Sequence, residues 1–290
     1  MTLNNGVEAW SFSSSQYVQA VVKNVEEYLS KEGRKLPRRG ASPFTANYRP
    51  ETDTTPELCD TKASYYMALI GVLRWMVELG RVDICVEVSL LSSHMALPRE
   101  GHLPHLYQVF AYLKSHHNFE MVFDPSEPVI DKSLFVRQDW SANVYGNNLK
   151  EELSANMPES SGQGFVMSAY VDSDHAGDVA TRRSRTGFLV FLNSALIFWM
   201  SKKQTGIETS SFGAEFTAMK QCSEYVRGLR YKLRMMGIEC TEPTYIFGDD
   251  QSVLANTTVP HSVLKKTSNS IAYHFVREGC ARDEWRTAYV

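Results

Sequence analysis

The chain has 290 residues, a formal net charge of −3 and 43% hydrophobic residues, enough for one large or two modest globular domains. The near-neutral charge excludes a strong overall attraction to nucleic acid but allows local basic patches. Five scattered cysteines without a Cys-x-x-Cys pair favour reduced, intracellular thiols. The first residues lack a secretory signal pattern, and no apolar run approaches the ~18 residues of a membrane span. The composition predicts an intracellular protein with no membrane partner.

The first part of the chain is dominated by helical periodicity. Residues 16–29 carry an apolar stripe and predict a helix. A basic run follows at residues 31–39, in which five of nine residues are cationic. This run is either a solvated linker or a contact for a phosphate backbone. Residues 45–60 hold two prolines and several polar residues and predict a loop.

Three more helical patterns follow with short connections, which predicts a small packed bundle. The patterns are residues 63–79, 81–94 and 104–116. The histidines of this region invite comparison with a metal site: they are His94, His102, His105, His116 and His117. However, Pro104 separates His102 from His105, and no third ligand has a recognisable spacing. We therefore expect structural or surface histidines, and an unrelated metal hydrolase built on them is disfavoured.

The second half of the chain has a different texture. After a short strand at residues 120–123, the polar residues 124–164 predict a linker and a domain boundary. The predicted strands are residues 165–171, 187–192, 196–200, 244–247 and 285–290. The predicted helices are residues 213–236, 250–256 and 270–277. Three strands, a helix, a strand, two helices and a strand predict mixed α/β layers, with Leu189 and Leu229 in one core.

Three carboxylates occupy suggestive positions in this pattern. Asp172 ends the first of these strands, Glu215 lies near the start of the long helix, and Asp249 follows the fourth strand. Strand ends and a helix start can converge at one sheet edge, where oxygen ligands bind hard cations such as Mg²⁺. Any one of the three is more simply a turn or capping residue, but the set predicts a metal site. The neighbouring acids Asp174, Asp178 and Asp250 need only turn or cap roles.

The same stretches resemble the ribonuclease H segment of copia-type LTR retrotransposon polyproteins. The matching motifs are residues 170–178, 183–187, 199–204, 213–216, 248–252 and 273–278. Upstream, residues 66–75, 81–84 and 111–114 resemble the region that joins the reverse transcriptase to the ribonuclease H. The implied fold class is α/β, a ribonuclease H-like mixed sheet with flanking helices, preceded by a small helical region.

The resemblance implies a division of the chain and a site. Residues 1–60 would be the end of a reverse transcriptase with a basic linker, 61–124 a helical connecting region, 125–164 a linker, and 165–290 the ribonuclease H-like domain. Asp172, Glu215 and Asp249 would be the catalytic metal ligands for two Mg²⁺ ions, with Mn²⁺ as a substitute. The implied substrate is the RNA strand of RNA–DNA hybrids. The residues expected to hold the phosphate backbone are Arg182, Arg183, Arg185, Lys202 and Lys203.

Two departures from the family affect the expected activity. The family has a further catalytic Asp beyond the last strand, whereas this sequence ends at Val290, and the paired-aspartate motif of the polymerase is absent. We therefore expect a fragment of a Pol polyprotein with weak cleavage, whose partner is the rest of that polyprotein. The alternative is a degenerate remnant that binds nucleic acid without cutting. The expected location is the cytoplasm, a virus-like particle or the nucleus, and the role of His274 is left open.

Overall fold

The structure is a computed structural model that describes residues 1–38, 40–45, 48–264 and 269–290, in which the chain forms two compact units. The first unit is Trp10–Val122 with Met1 and Asp178–Thr181. The second unit is Thr2–Ala9, Phe123–Gly177 and Arg182–Val290. Arg39 of the predicted basic run, and Ala46 and Asn47 of the predicted loop, lie outside the described residues. The four predicted domain ranges stay predictions.

The first unit is mainly helical, as its periodicity predicts. Its elements are β1 (Trp10–Phe12), α1 (Ser15–Lys31), α2 (Asp60–Glu78), α3 (Cys85–Ser92), α4 (His102–Ser115) and β2 (Met121–Phe123). β1 and β2 pair in a two-stranded sheet. The helices bury apolar faces in one core that includes Val22, Ile70, Leu91 and Phe110. The predicted small helical region is therefore present.

The predicted helix at residues 81–94 is shorter in the structure. A 3₁₀ turn, Val82–Ile84, separates α2 from α3. The buried Arg81 donates two hydrogen bonds to Asp83, from Nε to Oδ1 at 2.9 Å and from Nη2 to Oδ2 at 2.6 Å. Side chains two residues apart do not face each other on an α-helix, so this pair requires the tighter turn.

His102 has the structural role that its sequence context predicts. Its side chain is buried, its Nδ1 accepts a hydrogen bond from the Arg99 backbone N–H at 3.1 Å, and its Nε2 contacts the Pro50 carbonyl oxygen at 3.0 Å. Both ring nitrogens are thus occupied by the backbone. Among the described residues, no helix is long and apolar enough to cross a membrane.

The second unit is built on one five-stranded sheet. Its elements are β3 (Met167–Asp174), β4 (Arg185–Leu192), β5 (Ala195–Lys203), α5 (Ser211–Met235), β6 (Thr244–Gly248), α6 (Gln251–Thr258), α7 (Ser270–Ala281) and β7 (Trp285–Tyr289). The strand order is β5-β4-β3-β6-β7. β3, β4 and β5 are antiparallel, while β6 and β7 run parallel to β3. All five predicted strands lie in this sheet, with the order and directions of a ribonuclease H-like fold.

The long helix α5 packs on one face of the sheet. It begins at the N-cap Ser210, whose hydroxyl accepts the Gly213 N–H at 3.2 Å. Its buried residues recur every three or four positions and meet Phe188 and Val190 of β4 in one core. Leu189, predicted to share that core, points to the opposite face because side chains alternate along a strand.

The polar segment before β3 packs against the five-stranded sheet of the second unit. It contains a single 3₁₀ turn among its described residues, Lys132–Leu134, and no longer element. Phe135 nevertheless is 1% exposed and packs edge-on against Tyr245 and Phe247, with ring centroids 4.8 and 5.0 Å away. Trp140 is also buried. The face of the sheet opposite α5 is thus partly covered by this segment.

Candidate active site

Three acidic side chains meet at one edge of the five-stranded sheet. β3 and β6 are parallel neighbours, so their carboxyl ends reach the same edge, where Asp172 lies near the end of β3 and Asp249 directly follows β6. Glu215, near the start of α5, completes the group. One carboxylate oxygen of each residue lies within 4.8 Å of the other two. The structure therefore brings together all three predicted metal ligands, and their catalytic role stays a prediction.

The electrostatics of this group favour a bound cation. Asp172 and Asp249 are exposed, whereas Glu215 is half-buried on the helix side. Burial raises the pKa of Glu215 to about 7; a hydrogen bond from Ser173 opposes this rise, and the charges of Asp172 and Asp249 add to it. Three carboxylates at this spacing repel one another unless a cation or a proton intervenes. An all-oxygen donor set fits Mg²⁺ or Mn²⁺ better than a soft metal.

Ser173 orients two of these carboxylates. Its hydroxyl donates to Oε1 of Glu215 at 2.7 Å, and its backbone N–H approaches the same oxygen at 3.2 Å. The N–H also donates to Oδ1 of Asp172 at 2.7 Å. The sequence analysis assigned no role to Ser173, although its place in β3 puts it on the opposite face from Asp172, next to α5. The alternation of side chains along β3 was the sequence feature that could have identified Ser173.

Gln204 fixes the start of α5 against the sheet. This buried side chain follows β5, and its Nε2 donates to the Ala214 carbonyl oxygen at 2.9 Å and to Oγ1 of Thr186 at 3.1 Å. Ala214 immediately precedes Glu215, so Gln204 ties the backbone beside the carboxylate to the neighbouring strands. Residue 204 lies in one of the matching motifs, but the sequence analysis gave it no role.

The five basic residues predicted to hold a phosphate backbone do not share one face. The β4–β5 register pairs Arg185 with Lys203. Lys202, the adjacent residue on β5, points to the other side of the sheet. Arg182 and Arg183 are exposed in the loop before β4. The pair Arg185 and Lys203 is thus brought together, and binding of nucleic acid by all five stays a prediction.

The other acids and the motif histidine have local partners. Asp250 caps α6 by accepting the Val253 N–H at 2.9 Å, and Asp178 accepts the Thr181 N–H at 2.7 Å. These are the cap and turn roles expected of them. Nδ1 of His274 lies 2.6 Å from the Tyr145 hydroxyl. His274 therefore contacts the segment that precedes β3.

Comparison with known proteins gives similarity to transposon polyproteins. The chain is 28% identical over 232 residues to the retrovirus-related Pol polyprotein from transposon RE1 of Arabidopsis thaliana, which covers 79% of this chain and 13% of that protein. It is 26% identical over 227 residues to the corresponding RE2 polyprotein of the same plant, covering 78% of this chain and 13% of that protein. The chain thus spans about an eighth of the length of these relatives. No family profile matches it.

Among solved structures, ribonuclease H1 of the halophilic archaeon Halobacterium salinarum NRC-1 aligns with a TM-score of 0.33 and 15% identity, covering 43% of this chain and 84% of that chain. The strand order and directions described above carry the fold assignment by themselves. The chain is therefore similar, over about four-fifths of its length, to retrovirus-related Pol polyproteins from transposons, and its second unit is a ribonuclease H-like domain.

Proposed function

We propose that the second unit hydrolyses the RNA strand of RNA–DNA hybrids with divalent metal ions held by Asp172, Glu215 and Asp249. The observation that carries the proposal is the convergence of these carboxylates within 4.8 Å at the carboxyl edge of the sheet. When bound by these carboxylates, two such ions would supply an activated water and would stabilise the leaving 3′ oxygen of a phosphodiester. Discrimination against DNA would depend on the 2′-hydroxyls of the RNA strand.

The residues of this chain have distinct parts in that reaction. Asp172 and Asp249 are exposed and would reach a nucleic acid at the site, while the half-buried Glu215 would complete the ligand set from α5. Ser173 occupies Oε1 of Glu215, which leaves Oε2 for a cation. Gln204 bonds both Ala214 in the first turn of α5 and Thr186 of β4, so it would hold the helix start that carries Glu215 against β4.

The test is cleavage of a labelled RNA–DNA hybrid by the full chain with Mg²⁺, Mn²⁺ or EDTA. Asp172→Asn and Glu215→Gln should lower the rate at least ~100-fold, because loss of a ligand should exceed the ~10–100-fold cost of losing an outer-shell partner. Glu224→Gln is the matched control: it removes one charge from the same helix, where Glu224 only pairs with Lys220 on the surface.

The outcomes separate the two hypotheses drawn from the sequence. Metal-dependent cleavage that both site variants lose supports the proposal, at whatever rate the chain as written shows. Hybrid binding without cleavage under any metal condition supports the non-catalytic remnant. Cleavage that survives Asp172→Asn would show that the carboxylate group is not the active site.

A further inference from the structure

Residues 34–38 and 40–41, which follow α1, line one wall of a groove in the first unit. Arg34 N–H donates to the Leu29 carbonyl oxygen at 2.8 Å, and the Arg34 guanidinium lies over the ring of Tyr107 on α4, 5.4 Å from its centroid. At the other end, Gly40 is buried against α4 so closely that a Cβ there would lie 2.6 Å from Nε2 of Gln108. The chain is thus held against α4 at Arg34 and again at Gly40.

The opposite wall is the last turn of α4. The groove has a volume of about 1030 Å³, and the described residues of its lining include six cationic or imidazole side chains: Arg34, Lys35, Arg38, Lys114, His116 and His117. The single carboxylate in the lining is Glu26, which pairs with Lys114 at 2.6 Å. In a chain with a net charge of −3, this is a local concentration of positive charge.

Two of these charges have no acidic partner. Arg34 pairs with Glu32 at 3.7 Å, and Lys114 with Glu26. Lys35 and Arg38 are both exposed, and no carboxylate in the described part of the chain pairs with either. Cations fixed along a groove and left unneutralised are the arrangement that binds a phosphate backbone and releases its counterions.

We propose that this groove in the first unit binds the phosphate backbone of a nucleic-acid strand. The contact is independent of base sequence, because Lys and Arg side chains that reach phosphates carry no base readout. The imidazoles add hydrogen-bonding capacity: Nδ1 of His117 is engaged by Ser15 and Gln19, so its Nε2 is left for a ligand. The inference rests on the proposed function for the class of ligand, a nucleic acid, while the groove itself is a feature of the first unit alone.

The test measures binding of an RNA–DNA hybrid to the full chain by fluorescence anisotropy. The buffer contains EDTA so that no cleavage occurs. The groove variant is the double substitution Lys35→Gln and Arg38→Gln. The matched control is Lys23→Gln with Arg74→Gln, which removes the same charge from α1 and α2 outside the groove. All four side chains are exposed, and a melting curve verifies that both variants keep the fold.

The groove variant should bind the hybrid at least ~10-fold more weakly at low salt, and the slope of log K against log salt should fall by ~1.4 to ~1.8 for two lost phosphate contacts. The control should keep both values. Equal losses in the two variants, or none in either, would overturn the proposal. Competition by inorganic tripolyphosphate as strong as that by the hybrid would also overturn it, because it would identify a small-anion site.

Failure of this proposal is distinguishable from failure of the proposed hydrolysis. If the chain cuts no hybrid, but the groove variant alone loses affinity and salt slope, the groove proposal stands and the proposed hydrolysis fails. If the chain cuts hybrids, but both double variants bind the hybrid equally well, the proposed hydrolysis stands and the groove proposal fails. Asp172→Asn provides a further check, since it should abolish cleavage and keep the salt slope of the groove.

Discussion

At the scale of single residues, Ser173 decides how Glu215 presents its carboxylate. Two donors from one residue converge on Oε1, the hydroxyl at 2.7 Å and the N–H at 3.2 Å. The side chain that bonds Glu215 is therefore fixed by the same strand that carries Asp172. Removing such a hydrogen bond to a metal ligand typically lowers the metal affinity of the site ~10–100-fold.

Ser173→Ala should weaken binding of Mn²⁺ to the full chain about 10-fold, measured by calorimetry, because the hydroxyl that orients Glu215 is lost. Ser173→Thr is the matched control, since it keeps a hydroxyl and suits a strand. If the Ala and Thr variants bind the ion equally well, the hydroxyl has no part in positioning the ligand.

Glu215 should make the metal-free protein sensitive to pH. Its pKa in the folded chain is about 7, above the ordinary carboxyl value, so its contribution to stability is fully present below pH ~4.5 and is lost as pH rises through ~7. Glu215→Gln, which stays neutral, should therefore raise the melting temperature in EDTA at pH 8 and change it little at pH 5. If the variant and the parent protein have the same melting temperature at both pH 5 and pH 8, burial of the charged Glu215 does not destabilise the fold.

The three carboxylates were predictable, and the residues that hold them were not. Asp172 and Asp249 end strands that any parallel pairing brings to one edge, and Glu215 belongs to a helix that must pack on that sheet. Ser173 and Gln204 depend on which face each side chain takes and on which backbone atoms approach it. Leu189 shows the same limit: its strand was predicted correctly, but its predicted place in one core with Leu229 is wrong, because its side chain lies on the opposite face of the sheet.

At the scale of elements, the segment before β3 is bound to α5 by a buried ion-pair group. Glu151 accepts hydrogen bonds from Arg230, with Nε 3.1 Å and Nη2 3.0 Å from its oxygens, and from Arg234. The Arg230 side chain is 3% exposed. No periodicity in a polar segment signals such packing, because the contacts come from single residues, Phe135, Trp140 and Glu151, spaced without a repeat.

Glu151→Gln should lower the free energy of unfolding by ~3–5 kcal/mol, because it leaves the buried Arg230 without a countercharge. Its neighbour supplies the matched control: Glu152 pairs with Arg282 but is 86% exposed, so Glu152→Gln should cost less than ~1 kcal/mol. Both free energies of unfolding are measured by urea denaturation monitored by Trp fluorescence. Equal effects of the two substitutions would mean that Glu151 is no more than a surface ion pair.

At the scale of the whole molecule, the described residues form two large hydrophobic cores. One joins α1, α2, α3 and α4 and includes Leu73, while the other joins α5 to the five-stranded sheet and includes Met219. Each core belongs to one of the two compact units. Separate cores are the property that allows parts of a chain to unfold in separate steps.

The full chain should accordingly melt in two calorimetric transitions. Leu73→Ala should lower only one of them and Met219→Ala only the other, because each substitution leaves a cavity worth ~2–5 kcal/mol in a single core. Leu97→Ala, at a side chain that is 53% exposed, should shift neither. One common transition that both core substitutions lower would show that the two units fold as a single cooperative body. In that case the second unit would depend on the first for its stability, and the proposed hydrolysis would have to be measured on the full chain.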